Sequence, residues 1–289
     1  MSGFITTLLF ILLIPSCTPL SLPSRRLFLI TSVFLSPPPP IEESCPSDAV
    51  VMETAVPGSY TSPCYTLPTR TISLPNAGSY TIIQAPTSGT TAGRTGVTLW
   101  NSSILLARLI SSRTPLITSL FEDKDSLELG CGLGLGSIAA SLISSSVIAT
   151  DGNAEVLSLC SRNIKQRDNI KTLQLQWGTV DAADLNVDTA FGSDLTYNSN
   201  GWPALCSTLS QAVKPGGHFL YVLVGHSGYP ADAEFISFLT FVEGMRDFKL
   251  DVEMTRRGNE ELKKVIRDGE EKVLRETGGG PRVMILKKT

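Results

Sequence analysis

Histidine is almost missing from this chain: of 289 residues only His218 and His226 are histidine. Its six cysteines, Cys17, Cys45, Cys64, Cys131, Cys160 and Cys206, include no Cys-x-x-Cys pair. Together these absences argue against a zinc site, and no metal is expected. The spacing describes no disulfide framework. Cys131, Cys160 and Cys206 fall inside regular elements and read as small buried apolar residues. Cys45 and Cys64 are a candidate pair only in an oxidising compartment. Basic charge is also not in excess. Lys and Arg total 24 and Asp and Glu 27, a formal charge of −3. The first 41 residues hold Arg25, Arg26 and no acid, so 22 basic and 27 acidic residues remain in the body. Nonspecific nucleic-acid binding needs a basic face, so no nucleic acid is expected as a partner. A mildly acidic body suits a cationic substrate. There are no internal repeats.

What is present is a chain able to fold, with 42% hydrophobic and 18% charged residues. That composition excludes wholesale disorder and leaves enough chain for one substantial core. The amino terminus has a different character. Phe4 to Ile14 is an apolar run too short to span a bilayer, which takes about 20 residues. It suits the hydrophobic part of a signal peptide, although no Lys or Arg precedes it. Ser24-Arg25-Arg26-Leu27-Phe28-Leu29 resembles a twin-arginine signal and leads a second apolar stretch to Leu35. Pro37 to Pro40 then form a stiff spacer. A signal peptide followed by an acid-free, Ser- and Pro-rich stretch resembles the two-part leader of plastid proteins in algae with complex plastids. Secretion, a membrane tether and a misplaced gene start, which would leave the protein cytoplasmic, are the alternatives. Residues 1–46 are accordingly set apart as a targeting segment. No stable membrane span is expected in the mature domain.

In residues 47–97, Arg70–Leu74 and Tyr80–Gln84 alternate in polarity around Pro75-Asn76-Ala77-Gly78, which predicts a β-hairpin in an amino-terminal extension. Residues 98–289 alternate between helical and strand periods. Helices are expected at Thr98–Ser111, Gly136–Ile143, Ala154–Gln166, Pro203–Val213, Ala233–Met245 and Glu260–Glu276. Strands are expected at Ser126–Leu129, Val147–Asp151, Thr172–Trp177, Ala190–Thr196, Phe219–Val224, Lys249–Met254 and Val283–Leu286. Lys214-Pro215-Gly216-Gly217 reads as a strong stop. Such alternation implies a doubly wound, Rossmann-like α/β domain.

Leu127 to Gly136 follows a strand and opens a helix, with its turn at Gly130-x-Gly132-x-Gly134 led by Glu128. Glycines there let the backbone approach a ligand without a Cβ in the way. A dinucleotide-type Gly-x-Gly-x-x-Ala register also exists, at Gly134, Gly136 and Ala139, but it falls inside the helix. An acid such as Glu128 repels a pyrophosphate and suits the cationic amino-methionine part of S-adenosylmethionine. Asp151, at the end of the second strand, is placed to accept both ribose hydroxyls; capping the next helix is its alternative, with Asn153 a rival cap.

Glu128–Gly136, Thr150-Asp151, Trp177-Gly178 and Asp194-Leu195-Thr196-Tyr197 stand in the order seen in the seven-strand protein-lysine methyltransferases, methyltransferase family 16, which this sequence resembles. The Gly-x-x-x-Trp segment that precedes the first strand in that family is here Gly96 to Trp100. The resemblance covers roughly residues 70–255. It implies a class I, seven-stranded sheet and methyl transfer from S-adenosylmethionine to a lysine of a protein substrate; a small-molecule N- or O-methyltransferase on the same fold is the alternative. Gly130, Gly132, Gly134, Glu128 and Asp151 would bind the cofactor. Trp177 would flank the adenine and Trp100 border the methionine end, each with plain packing as the alternative. Asp194 would position the lysine amine and Tyr197 shape its pocket; the alternatives are a helix cap for Asp194 and a satisfied aromatic for Tyr197. Trp202 is placed at the substrate cleft, and both histidines read as structural. The sequence sets no oligomeric state.

Overall fold

The computed structural model describes residues 45, 48–51, 54–56, 59–85, 95–179, 182–226 and 230–289. The targeting segment, with its twin-arginine hexad and proline run, lies outside them except for Cys45. Strands β1 (Thr54–Val56) and β2 (Ser59–Thr61) make a short antiparallel pair that the sequence did not announce. Strands β3 (Thr69–Leu74) and β4 (Gly78–Ile83) form the hairpin that the Pro-Asn-Ala-Gly turn predicts, with Leu74 opposite Gly78. Asn76 and Gly78 take the positive φ angles its turn requires. Ile72, Leu74 and Ile82 carry one face of the hairpin into the main core.

Seven strands build the central sheet: β5 (Asp125–Glu128), β6 (Ser146–Asp151), β7 (Ile170–Gln174), β8 (Val187–Ser193), β9 (Val213–Leu223), β10 (Phe248–Leu250) and β11 (Arg282–Lys288). Their order is β10-β11-β9-β8-β5-β6-β7. All run parallel except β11, which is antiparallel to both neighbours. This is the doubly wound seven-stranded sheet expected. Strand order reverses between β5 and β8, so the crevice at their carboxyl ends is the switch point where such sheets bind ligands.

Among the described residues eight α-helices flank the sheet: α1 (Asn101–Ser111), α2 (Pro115–Phe121), α3 (Leu135–Ala140), α4 (Ala154–Asn163), α5 (Trp202–Ala212), α6 (Ala231–Met245), α7 (Val252–Val265) and α8 (Glu270–Gly278). The two-residue period of β9 divides its side chains between two cores. Leu220 and Val222 join Leu105, Ile138 and Phe191 on one face. Phe219, Tyr221 and Leu223 join Leu127, Leu205 and Phe238 on the other. Both faces of the strand are covered, which is why it reads as a continuous apolar run.

Several boundaries differ from the sequence reading. The Lys214–Gly217 stop ends α5, but the chain enters β9 directly at Val213. The strand expected over Lys249–Met254 stops at Leu250, because Asp251 caps α7 by accepting the Met254 N–H at 2.9 Å. The charged segment expected as one helix is two, α7 and α8, separated at Ile266–Gly269, with Gly269 at φ 85°. Helix α2, absent from the sequence expectations, has local start signals of its own: Thr114 caps it and Pro115 occupies its first turn.

The amino-terminal extension is bound into the domain. Cys45 and Cys64 form a disulfide. Buried Arg108 on α1 pairs with Glu270 on α8, its Nη1 2.7 Å from Oε2, and donates through Nη2 to the Asp48 carbonyl at 2.9 Å. Glu270 also accepts the Val50 N–H at 3.0 Å. Cys131, Cys160 and Cys206 are buried free thiols. Among the described residues no single helix is long and apolar enough to cross a membrane.

Candidate functional site

The glycine turn between β5 and α3 runs through three left-handed residues, Gly130 (φ 59°), Gly132 (φ 51°) and Gly134 (φ 82°). A Cβ on Gly130 would lie 2.6 Å from the Leu195 side chain, and one on Gly134 2.7 Å from Cys160 Sγ. Any other residue there would strain the backbone and displace a neighbour. The Cys131 N–H donates to the Thr150 carbonyl at 2.8 Å, which fixes the turn to the end of β6.

Asp151 sits against this turn. Its Oδ2 accepts the Gly132 N–H at 3.3 Å and its Oδ1 the Asn153 N–H at 3.0 Å. The helix cap belongs to Asn153, whose side chain accepts from Glu155 and Val156, so capping does not explain Asp151. Burial raises the Asp151 pKa, against the pull of those backbone donors. Gly96 brings the upstream segment to the same place: a Cβ there would stand 3.5 Å from Asp151 Oδ2 and 2.9 Å from Val156. Trp177 closes the other side, its ring 3.8 Å from where a Gly130 Cβ would be. Glycine turn, carboxylate and indole thus meet in one place.

Glu128 lies beneath the turn. Its carboxyl accepts from Ser137 Oγ at 2.5 Å, and a Cβ on Gly136 would stand 2.2 Å from it. Burial pushes its pKa up to about 8, and the Asp151 charge adds to the rise. At pH 7 this carboxyl is therefore mostly protonated. A cation brought close would lower the pKa and draw out the negative charge.

A second cluster forms where β8 ends. Asp194 adopts a left-handed backbone, φ 48°, which costs a non-glycine residue energy and re-aims its side chain. Its Oδ2 accepts from Ser102 Oγ at 2.6 Å, and its Oδ1 from the Val224 N–H at 3.2 Å. His226 Nε2 lies 3.5 Å from Oδ2. Asp194 caps no helix; the caps of the next two helical segments are Asn198 and Gly201. Tyr197, three residues on, is 56% exposed, a large aromatic left facing solvent. Trp100 stands on this side too. Its indole N–H donates to the Thr95 carbonyl at 2.7 Å, and its ring centre is 5.8 Å from His226 and 5.4 Å from Tyr65. Trp100 thus borders Asp194's neighbour His226, whereas Trp177 borders the glycine turn.

Behind the loop is a buried polar network. The Tyr221 hydroxyl accepts from the Leu195 N–H at 2.9 Å and lies 2.8 Å from Thr196 Oγ1. Thr196 also donates to Glu234, whose pKa is raised by burial. The Trp202 indole N–H donates to the Thr196 carbonyl at 2.9 Å while its ring packs on Phe238 and Phe241. Trp202 is therefore a buried prop of the loop, not a wall of the cleft. Sequence reading missed Ser102 and His226. Ser102 was signalled only by its place just after Trp100. His226 follows the buried strand β9, and only the fold brings it to Asp194.

Comparison with known proteins gives a consistent set. The family model for lysine methyltransferases matches residues 84–241, just over half the chain. The protein-lysine N-methyltransferase EFM3 of Chaetomium thermophilum is 30% identical over 148 residues, 46% of this chain and 43% of that protein. Human methyltransferase-like protein 22 is 30% identical over 141 residues, 40% of this chain and 34% of its own length. The calmodulin-lysine N-methyltransferase of Arabidopsis thaliana is 29% identical over 125 residues, 40% of each. The chain spans less than half the length of these relatives.

Proposed function

The chain belongs to the lysine methyltransferase family, and from that premise we propose that it methylates a lysine side chain of a protein, using S-adenosylmethionine. When bound, that cofactor supplies an electrophilic methyl group on a sulfonium. The residues fit it: Gly130, Gly132 and Gly134 leave the backbone open to close approach, Asp151 presents a carboxylate to ribose hydroxyls, and Trp177 offers an aromatic face to adenine. Glu128, with a pKa of about 8, is poised to ionise next to a cation.

The observation that carries the reading is Asp194. A carboxylate held by Ser102 and the Val224 N–H, on a strained backbone at the switch point, is fixed before any substrate arrives. It attracts a lysine ammonium and holds its nitrogen in line for displacement, while exposed Tyr197 contacts the cation and its aliphatic stem. The amine must be neutral at transfer, since an ammonium has no electron pair to form the new bond.

The test is transfer of radiolabel from S-adenosylmethionine into a cell extract separated into protein and small-molecule fractions. Label recovered as methyl-lysine from the protein fraction supports the reading. Label confined to small molecules overturns it in favour of a small-molecule acceptor. We further propose that the segment ahead of Cys45 directs the protein to the secretory pathway or a plastid, since Cys45 itself is bonded to Cys64 and stays with the domain. The Cys45–Cys64 disulfide supports an oxidising destination, and fluorescence imaging of a fusion of that segment tests it.

A further inference from the structure

A lysine side chain has a pKa of about 10.4, so near pH 7 fewer than about one in a thousand is neutral. The site therefore needs a group to take the proton, and the Asp194 oxygens already accept from Ser102 and the Val224 N–H. Tyr221 is buried, its pKa driven well above the ordinary value. Glu234 is committed to Thr196 and Tyr221 behind the loop. His226 is different. Its Nε2 is 3.5 Å from Asp194 Oδ2, the residue is 8% exposed, and the edge of Trp100 walls it in.

We propose that His226 is the proton acceptor for the incoming lysine ammonium, with Asp194 as its counter-charge, which makes His226 a catalytic residue of this site. The inference rests on the lysine methyl-transfer reading above. An ammonium nitrogen held by Asp194 Oδ2 lies within reach of a ring nitrogen 3.5 Å from that oxygen. Neutral imidazole takes one proton from the ammonium. The amine then uses its freed pair to form the nitrogen–carbon bond, the carbon–sulfur bond breaks, and its electron pair goes to sulfur. Positive charge remains on the imidazolium beside Asp194 and on the methylated ammonium. When product leaves, the imidazolium passes its proton to water. Among the described residues, the carboxyls that face His226 are Asp194 and Glu234, and the Tyr221 hydroxyl behind them is neutral. Both carboxyls favour the imidazolium, the form that must be stabilised once the proton has moved.

Two measurements test this. The chain has only two histidines, so loss of one imidazole signal in His226→Gln assigns both in a proton NMR titration of the full chain. In Asp194→Asn the His226 pKa should fall by about one unit or more; an unchanged titration overturns the dyad whether or not an acceptor protein has been found. The second measurement uses the extract protein labelled in the assay above. His226→Gln should lower kcat about 10²-fold at pH 7, with KM little changed. At pH 10 the loss should shrink below about tenfold, because the lysine then sheds its own proton. An equal loss at every pH would show a structural role only and overturn the proposal. If the wild-type chain labels no protein lysine, it is the methyl-transfer reading that fails, and the NMR titration still decides whether the dyad exists.

Discussion

Ser102 and Asp194 lie 92 positions apart and meet through a 2.6 Å hydrogen bond from Ser102 Oγ to Asp194 Oδ2. The bond joins the first turn of α1 to the end of β8, and so links the upstream Gly-x-x-x-Trp segment to the Asp-x-x-Tyr loop. Asp194→Asn preserves shape and removes charge. Cofactor affinity should stay within about twofold, while methyl transfer falls roughly 10²-fold or more. Ser102→Ala leaves the Val224 N–H and His226 beside the carboxylate, so its loss should be smaller, about tenfold. Calorimetry for the cofactor and steady-state rates for transfer check both. Full turnover in Asp194→Asn would remove the residue on which the lysine reading stands.

Asp151 is predicted to govern cofactor affinity. Removing its carboxylate takes away charge-assisted bonds worth about 1.5–3 kcal/mol each. It also releases the Gly132 and Asn153 N–H groups that it holds. Asp151→Ala should bind S-adenosylmethionine about 10- to 100-fold more weakly and still fold. Gly132→Val should bind none detectably, since a β-branched residue strains at φ 51° and fills the close approach. Titration calorimetry at one pH compares the three proteins, and unchanged affinity in Asp151→Ala would exclude the ribose assignment.

Much of this site was legible in the sequence because its signals are local. Three glycines in a strand–turn–helix context mark one left-handed turn, and Asp151 follows at the end of the next strand. The hairpin announced itself through its turn. The parts that escaped reading depend on contacts distant in sequence. His226 had no local pattern to distinguish it from a core histidine, and Ser102 looks like any serine in the first turn of a helix. Trp202 misled for the converse reason: its position after the Asp-x-x-Tyr motif suggested the cleft, but the fold turns the ring onto Phe238 and Phe241. The break between α7 and α8 was missed because the charge pattern continues through it, while Gly269 reverses the backbone.

Glu128 should make stability depend on pH in a particular direction. The folded protein keeps its proton up to about pH 8, whereas an unfolded chain loses it near the ordinary value of 4.5. Between those values the folded state binds more protons, so stability falls as pH rises, by up to about 1.4 kcal/mol per unit from this group. Glu128→Gln removes the titration and still offers Ser137 an acceptor. Urea unfolding at pH 5 and pH 8.5 should show the two proteins similar at the lower pH and the Gln variant more stable at the higher. A difference that does not vary with pH would show that Glu128 ionises normally in the fold.

The Cys45–Cys64 disulfide closes a loop with a sequence separation of 19. A loop of that size restricts the unfolded chain by about 3 kcal/mol in the entropic account. Its folded end is not remote from the site. Cys64 packs with Val51 and Tyr65 against Trp100, and Gln84 donates to the Cys64 carbonyl at 2.6 Å while accepting the Leu99 N–H at 3.2 Å. Reductant should therefore lower the melting temperature of the full chain and leave Cys45→Ser unaffected. A chain beginning at Ser47 should match Cys45→Ser, because it lacks the same bond and nothing else described. One beginning at Thr54 should be far less stable. It loses Asp48 and Val50, which bond to the buried Arg108–Glu270 pair, and an under-satisfied buried ion pair costs several kcal/mol. Thermal melts of the four proteins with and without reductant decide this. A wild-type melt indifferent to reductant would show that the extension is held by Arg108, Glu270 and Asn101, whose amide pairs with Val51 in both directions, and that the disulfide adds nothing to it.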